Sequence, residues 1–375
     1  KQLTKACYQG WIDFEEDLKG FNFQRADAKS KGIVYRARAL LHSWLSGFDL
    51  RVSQIDPEFT PGETFTSQRG YVSIYQKLRR KDAWTVTHDA ADDFIRLCYN
   101  NLSLKRCAKK HMVPLSREDS RRLFKAAQGQ PHKGFAIFRA RMYGEVLTLV
   151  HGSRASSVEK NATKRRFINV EPLGNVILQR GVAACFREVL AQVGNDLEIG
   201  QAVHRARIRS KIATVDFSNA SDGTLLEAVR LMFPGPVTKA LCRYRSPMVL
   251  IEGVYHVPVK LSSMGCGFTF ETMSLLLLAV ARVLDPGATV YGDDVIINNE
   301  VAHDFCAAAQ AIGYKVNHEK TFIDAPFRES CGGFFMDGFG DICCYDIHYC
   351  ESVMDVIIAT NKFYRMWKVN PFHDC

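Results

Sequence analysis

The chain has 375 residues, 47% of them apolar and 24% charged, which is ample material for a packed core. That composition excludes a disordered tail, a collagen-like fibre and a disulfide-stapled miniprotein, and the length suggests two or three domains or one large composite one. The net charge of +9 is concentrated: residues 101–170 hold sixteen Lys/Arg against four Asp/Glu, leaving the remainder of the chain at −3. A basic block on a near-neutral body suits a phosphate backbone and equally suits a solvated surface.

Helix-like spacing occupies Ile33 to Phe48 and Ala90 to Leu104, with Pro57, Pro61 and Gly62 breaking the chain between them. This first region carries no evident chemistry and reads as scaffold or partner surface. The basic block is expected to contain helices over Arg117 to Ala127 and Gly134 to Val150, then a loop over His151 to Arg166. A helix over Leu173 to Val193 and a basic stretch, His204 to Lys211, follow.

From Ile212 the pattern changes. Ile212-Ala213-Thr214-Val215-Asp216-Phe217 reads as a buried strand that ends in a carboxylate. A polar turn, Ser218 to Gly223, leads to a helix over Leu225 to Phe233 that Asp222 is placed to cap. Val249 to Val259 reads as a hairpin around Gly253, Phe268 to Leu284 as an apolar helix, and Asp304 to Ile312 as another helix. Ala288 to Asn298 is two short apolar runs around Gly292-Asp293-Asp294, and Gly333 to Cys344 is a hairpin turning at Asp337-Gly338. Mixed strands and helices with frequent hairpins give an α+β class.

Twelve cysteines form no Cys-x-x-Cys pair and no Cys/His zinc grouping; Cys343, Cys344 and Cys350 are too crowded for a ribbon site. No signal peptide opens the chain, so reduced thiols in a cytosol are expected. The longest apolar run, Leu275 to Ala281, falls far short of the ~20 residues that span a bilayer, so no membrane association is expected. The first residue is Lys1 rather than Met, as in a fragment or trimmed chain.

The most informative stretch is Val290-Tyr291-Gly292-Asp293-Asp294-Val295-Ile296-Ile297. Two adjacent aspartates sit at a tight turn between strand-like runs, and Gly292 permits the turn. Holding two carboxylates together costs free energy unless a cation neutralises them. Oxygen-only ligands select a hard ion, Mg²⁺ or Mn²⁺. Asp216 ends another apolar strand and supplies a third carboxylate. Three such groups suit two ions about 4 Å apart serving in-line phosphoryl transfer.

Several separate motifs, in order from about Lys160 to Asp346, closely resemble the catalytic subunit of RNA-dependent RNA polymerases from single-stranded RNA bacteriophages, the Qβ-type replicases of leviviruses. Val158-Glu159-Lys160-Asn161 through Arg166, with Val170-Glu171-Pro172, resembles the finger motif that holds the incoming triphosphate. Lys160 and Arg166 match best there, beside Lys164 and Arg165. Thr214 to Asp222 resembles the first palm motif, with Asp216 as metal ligand and Asp222 as the aspartate that senses the ribose hydroxyl. Ser262-Ser263-Met264-Gly265-Cys266-Gly267-Phe268-Thr269-Phe270-Glu271 resembles the loop that contacts the template and the nascent base pair. The chain departs from the family there: Cys266 replaces an Asn of close relatives. Met273 occupies the Asn slot of Gly-x-x-x-Thr-x-x-x-Asn, so sugar selection would fall to Asp222, Ser263 or Thr269.

Tyr291-Gly292-Asp293-Asp294 matches the third palm motif, in which Asp293 binds metal directly and Asp294 binds or tunes a second ion. Its Gly292 favours RNA synthesis on RNA over reverse transcription. Tyr314 to Phe322 resembles the fourth, in which Lys320 would protonate leaving pyrophosphate. Pro326-Phe327-Arg328-Glu329-Ser330-Cys331-Gly332-Gly333 matches the start of the hairpin that grips the growing strand. Arg328 there touches phosphate, or else positions the hairpin.

The resemblance implies a right-hand polymerase with fingers, an antiparallel palm sheet with packed helices, and a partial thumb. Residues 1–100 would be outer fingers, 101–211 basic fingers, 212–345 palm with a finger-type insertion near 235–260, and 346–375 the start of a truncated thumb. It implies two Mg²⁺ ions, with Mn²⁺ as substitute. It further implies RNA template, nascent RNA and NTPs as substrates, and host elongation factors Tu and Ts and a ribosomal protein as partners, in the cytoplasm of an infected bacterium. A reverse transcriptase and a basic RNA-binding protein without activity are the alternatives.

Overall fold

A computed structural model describes residues 2–58, 63, 65–66, 73–127, 130–160, 163–209, 211–342, 350 and 352–369. The expected breaks at Pro61 and Gly62, the finger residue Asn161, Cys343 and Cys344 lie outside the described residues.

The chain opens with helix α1 (Gln2–Lys19) and helix α2 (Ala28–Trp44), the latter capped by Asp27 Oδ1, which accepts from the Ser30 N–H at 2.9 Å. Ala90, Ala91, Phe94, Leu97 and Cys98 put one apolar stripe of α3 (His88–Asn100) into the core. The single helix expected to Leu104 is two helices. Asn101 ends α3, and its side chain accepts from the Leu104 N–H to start a new helix, Leu102–Lys109. The helix expected over Gly134 to Val150 also divides. Pro131–Arg141 is α-helical, Met142–Val146 is a π turn, and Thr148–Val150 is a strand parallel to Thr85–Thr87.

The expected loop at 151–166 is instead a β-hairpin of β1 (Ser153–Glu159) and β2 (Arg165–Val170). Its polar composition hides the alternation, but Ser153, Ser157, Phe167 and Val170 are buried. Helix α4 (Leu173–Gln192) follows as expected, and the basic stretch from His204 begins inside a further helix, α5 (Gly200–Arg207). Next come β3 (Ile212–Val215) and β4 (Phe217–Ser218), and then β5 (Val249–Ile251) and β6 (Val254–His256), which turn at Gly253. These last two complete a four-stranded sheet, β2-β1-β5-β6, in which β1 and β5 are parallel. Asp222 does not cap the next helix. That helix runs Leu226–Met232 with Leu225 at its N-cap, and Asp222 instead closes a 3₁₀ turn.

Helix α6 (Thr269–Leu284) is the axle of the molecule. Every residue from Thr272 to Ala281 is buried, which explains a segment apolar on all sides. It packs on α2, α4 and α7 (Asn299–Gln310). Beside it, β7 (Thr289–Tyr291), β8 (Asp294–Asn298) and β3 form an antiparallel sheet in the order β3-β8-β7. Register places Val295 between Val215 and Val290, and Ile296 between Thr214 and Thr289. Strand β9 (Lys315–Val316) pairs with β4. A three-stranded meander of β10 (Phe327–Ser330), β11 (Gly333–Met336) and β12 (Gly340–Ile342) lies against β3. The chain ends in α8 (Val353–Val369). This is the expected α+β class. Among the described residues, no helix is long and apolar enough to cross a membrane.

Candidate active site

Each of the three aspartates stands at or beside the end of a strand. Asp216 separates β3 from β4. Its backbone is fixed by Thr321 Oγ1, which accepts from the Asp216 N–H at 3.2 Å, and by the Asn317 N–H, which donates to its carbonyl at 2.9 Å. Its carboxylate Oδ2 accepts from Asn317 Nδ2 at 2.7 Å.

Asp293 and Asp294 follow Gly292 in the turn between β7 and β8, where Tyr291 and Asp294 are register partners. Gly292 has φ +65° and donates its N–H to Ser274 Oγ at 3.0 Å. A Cβ there would lie 2.3 Å from Phe270 Cε2 on α6. Positive φ at the first central residue alone is the pattern of a II′ hairpin turn. Tyr291 is fixed by an edge-on contact with Phe270, their centroids 4.9 Å apart.

The electrostatics bind these residues into one site. Burial pushes the Asp293 carboxyl up, as does Asp216, while Arg166 and Lys320 pull it down. Burial, followed by the charges of Asp293 and Asp216, pushes Asp294 up to about 6; a hydrogen bond from Cys331 Sγ at 3.4 Å opposes this. Five sequence-expected residues therefore share one electrostatic field: Asp216, Asp293, Asp294, Arg166 and Lys320. Arg166 faces the aspartates because alternation along β2 turns Arg165 to the other side. Arg165 bonds Ser157 Oγ and Ser157 O, each at 2.8 Å, and pairs with Glu159. Arg166 and Lys320 are exposed.

The other expected residues stand elsewhere. Lys160 is exposed at the hairpin tip, where its N–H meets Lys164 O at 3.0 Å. Gly265 has φ +104°, and a Cβ on it would strike Asn169 O at 2.2 Å, so the loop is seated on the end of β2. Ser263 and Thr269 are buried and spent on the protein. Ser263 Oγ accepts from Trp11 Nε1 at 3.1 Å, and Thr269 Oγ1 donates to Ser263 O at 3.1 Å. They hold the loop, and as placed neither is open to a sugar.

Arg328 does not reach out toward phosphate. It is buried, and its guanidinium donates to Ile212 O, Ala325 O and Phe327 O, so the positioning role is the one this geometry fits. Asp222 pairs with Lys260 at 2.8 Å. Sequence reasoning assigned no role to Asn317, Ser274, Cys331 or Lys260. The first three lie within or beside matched motifs, but their contacts come from distant strands.

The donor set fits a hard divalent cation: oxygen ligands only, partly buried, repelling one another, with two cationic side chains nearby. The side chains are not gathered around a point; among the described residues, no group of three or more His, Cys, Asp or Glu is arranged to hold an ion. Asp294 must shed its proton to ligate. Apparent affinity for Mg²⁺ is therefore expected to be flat above pH 6 and to fall about tenfold per pH unit below it. Calorimetric titration at pH 5.0 and 7.5 measures this, and an affinity independent of pH would rule out Asp294 as a ligand.

A family model described as RNA replicase, beta-chain, matches residues 19–374. The RNA-directed RNA polymerase subunit beta of Qbeta virus (strain MX1) is 36% identical over 226 residues, covering 57% of this chain and 38% of that protein. The corresponding subunit of Enterobacteria phage SP is 34% identical over 234 residues, covering 59% and 41%; the beta chain of Escherichia phage MS2 is 35% identical over 231 residues, covering 59% and 42%. The chain thus spans about two fifths of the length of these relatives. A solved structure, the insertion loop deletion mutant of the RNA-dependent RNA polymerase of a human picorbirnavirus, is 13% identical with a TM-score of 0.39, covering 60% of this chain and 55% of that one. With nearly its whole length matched by the family model, this chain belongs to the RNA replicase beta-chain family.

Proposed function

We propose that the chain is the catalytic core of an RNA-dependent RNA polymerase. It adds ribonucleotides to an RNA 3′-hydroxyl on an RNA template and releases pyrophosphate. One observation carries this reading: three aspartates at or beside strand ends share a field with Arg166 and Lys320. That grouping suits a triphosphate, its cations and a strand end, and family membership agrees with it.

Two Mg²⁺ ions, with Mn²⁺ as substitute, would be held by Asp216, Asp293 and Asp294; bound there, they supply charge neutralisation and activation of the attacking oxygen. The chain's own residues do the rest. Asn317 holds the Asp216 carboxylate in place. The II′ turn fixes Asp293 and Asp294 against α6. Arg166 takes the charge of the triphosphate from the finger side, and Lys320 is placed to give a proton to departing pyrophosphate. Base pairing selects the nucleotide. In this reading residues 1–211 belong to the fingers, 212–345 to the palm and 346–375 to a thumb. The names of the relatives, subunit beta and beta chain, denote one member of an assembly. The proposed partners are host elongation factors Tu and Ts and a ribosomal protein, in the cytoplasm of an infected bacterium.

Arg166→Gln is expected to raise the KM for NTP about 10- to 100-fold, roughly 1.4–2.7 kcal/mol, with a smaller change in kcat. Steady-state kinetics on a primed RNA measures it; an unchanged KM would remove Arg166 from the triphosphate site. The function itself is tested by incorporation of labelled NTPs on primed RNA with Mg²⁺, with dNTPs in parallel. NTP-preferring, metal-dependent synthesis supports the polymerase. A preference for dNTPs supports a reverse transcriptase, and salt-sensitive RNA binding without synthesis supports a binding protein.

A further inference from the structure

Lys260 is fully buried, yet it carries a cation into the interior between two carboxylates. Its Nζ lies 2.8 Å from Asp222 Oδ1 and 3.0 Å from Glu15 Oε1. It also sits over the Trp11 ring, 4.2 Å from the centroid. None of these three polar atoms has an aligned hydrogen-bond partner, so the contact works through charge.

The backbone fixes Lys260 firmly in this place. The Leu261 N–H donates to Thr224 O at 2.8 Å, the Leu226 N–H donates to Val259 O at 3.0 Å, and Lys260 forms a bridge with Leu225, just beyond Asp222. From the other side comes α1. Glu15 Oε2 accepts from the Val259 N–H at 2.8 Å, Trp11 Nε1 donates to Ser263 Oγ at 3.1 Å, and the Trp11 ring stacks on Phe167 of β2 at 4.9 Å.

A buried charge cluster of this kind adds little net stability over apolar packing. What it does supply is a fixed carboxylate. Lys260 takes Oδ1 of Asp222, and Oδ2 has no protein partner among the described residues.

We infer that Lys260 is a positioning residue for ribose selection: with Glu15 and Trp11 of α1 it holds Asp222 so that Oδ2 accepts a hydroxyl of the incoming sugar. The inference rests on the polymerase reading and, within it, on the ribose-sensing place that the resemblance gives Asp222. It makes the first helix of the chain part of the choice between NTP and dNTP, although α1 carries none of the site aspartates. It also offers a route to sugar selection in a chain with Met273 in the Asn slot of Gly-x-x-x-Thr-x-x-x-Asn, and with Ser263 and Thr269 buried.

The test is single-nucleotide extension of a primed RNA by the full chain, read as the ratio of kcat/KM for GTP to that for dGTP. Asp222→Asn and Lys260→Gln should each lower this ratio about 10-fold or more. The double variant should fall no further than Asp222→Asn alone, because both changes act through one carboxylate. Lys260→Arg, which keeps the charge, should restore part of the ratio.

Lys260→Gln leaves two carboxylates without their cation, so Glu15→Gln/Lys260→Gln, which removes one of them, is measured beside it. An unchanged ratio in whichever of these folds overturns the inference, as does an unchanged ratio in Asp222→Asn. Lys260 is then only an anchor for α1. Failure of the unaltered chain to extend the primer with any nucleotide overturns the polymerase reading and takes the inference with it.

Discussion

Asp293→Asn is expected to lower nucleotide incorporation by at least about 10³-fold, some 4 kcal/mol of transition-state stabilisation, while leaving the fold intact. The two effects separate because of what Asp293 does in the protein without metal. Its carboxyl is pushed up by burial and by Asp216, so its negative charge is a cost to the folded state. A neutral amide of the same shape removes that cost. Thermal stability of the metal-free chain is therefore expected to stay level or to rise. Mg²⁺ is expected to stabilise the unaltered chain by binding its folded form, and to stabilise the variant less. Scanning calorimetry with and without Mg²⁺, run beside incorporation kinetics, reads both. Lost activity with a lowered melting temperature would make Asp293 a folding residue rather than a ligand.

Gly292→Ala should cost both stability and activity. The added Cβ would stand 2.3 Å from Phe270 Cε2, and Phe270 is itself fixed against Tyr291, so the ring has little room to retreat. The residue must also keep φ +65°, which L side chains disfavour by about 1 kcal/mol. With overpacking of about 1–3 kcal/mol added, a loss of about 2–4 kcal/mol is expected. The turn that carries Asp293 and Asp294 would have to shift, so incorporation should fall at least about 100-fold even where the protein remains folded. Urea unfolding and kinetics at a temperature well below the melting point measure the two parts. A variant with wild-type stability would mean that the β7–β8 turn is not held against α6 as described.

Asp294 gives the metal-free protein a characteristic pH response. Its pKa near 6 lies above the ordinary carboxylate value near 4. Ionisation is thus harder in the folded chain than in the unfolded one. The resulting destabilisation is absent below about pH 4 and complete above about pH 6. A bound cation reverses the sign by favouring the ionised form.

The strand-end placement of the three aspartates was legible in the sequence for a physical reason. A polar turn flanked on both sides by buried β runs can point its side chains only out of the end of a sheet, and Val215-Asp216 and Tyr291-Gly292-Asp293-Asp294 both have that form. Register adds what sequence could not give, namely that β3 and β8 are direct neighbours. Long apolar segments such as α6 were legible because burial on all faces leaves few alternatives.

The hairpin at 153–170 was read partly as a loop because a strand rich in Ser, Arg and Glu shows no alternation until its partners are known. Arg328 illustrates a different limit. An arginine beside a matched motif invites a phosphate, and only the packing of β10 on β3 shows its guanidinium spent on backbone carbonyls. Lys260 went unassigned because its meaning lies in Glu15 and Asp222, which are far from it and from each other along the chain.

Asp216, Asp293 and Asp294 are proposed to form one divalent-cation centre together. Titration of Mn²⁺ into the chain with GTP present, followed by electron paramagnetic resonance of the free ion, tests it most directly. About two ions are expected to bind per unaltered chain, with fewer or much weaker sites in Asp216→Asn and in Asp293→Asn. Equal stoichiometry and affinity in all three proteins would contradict it.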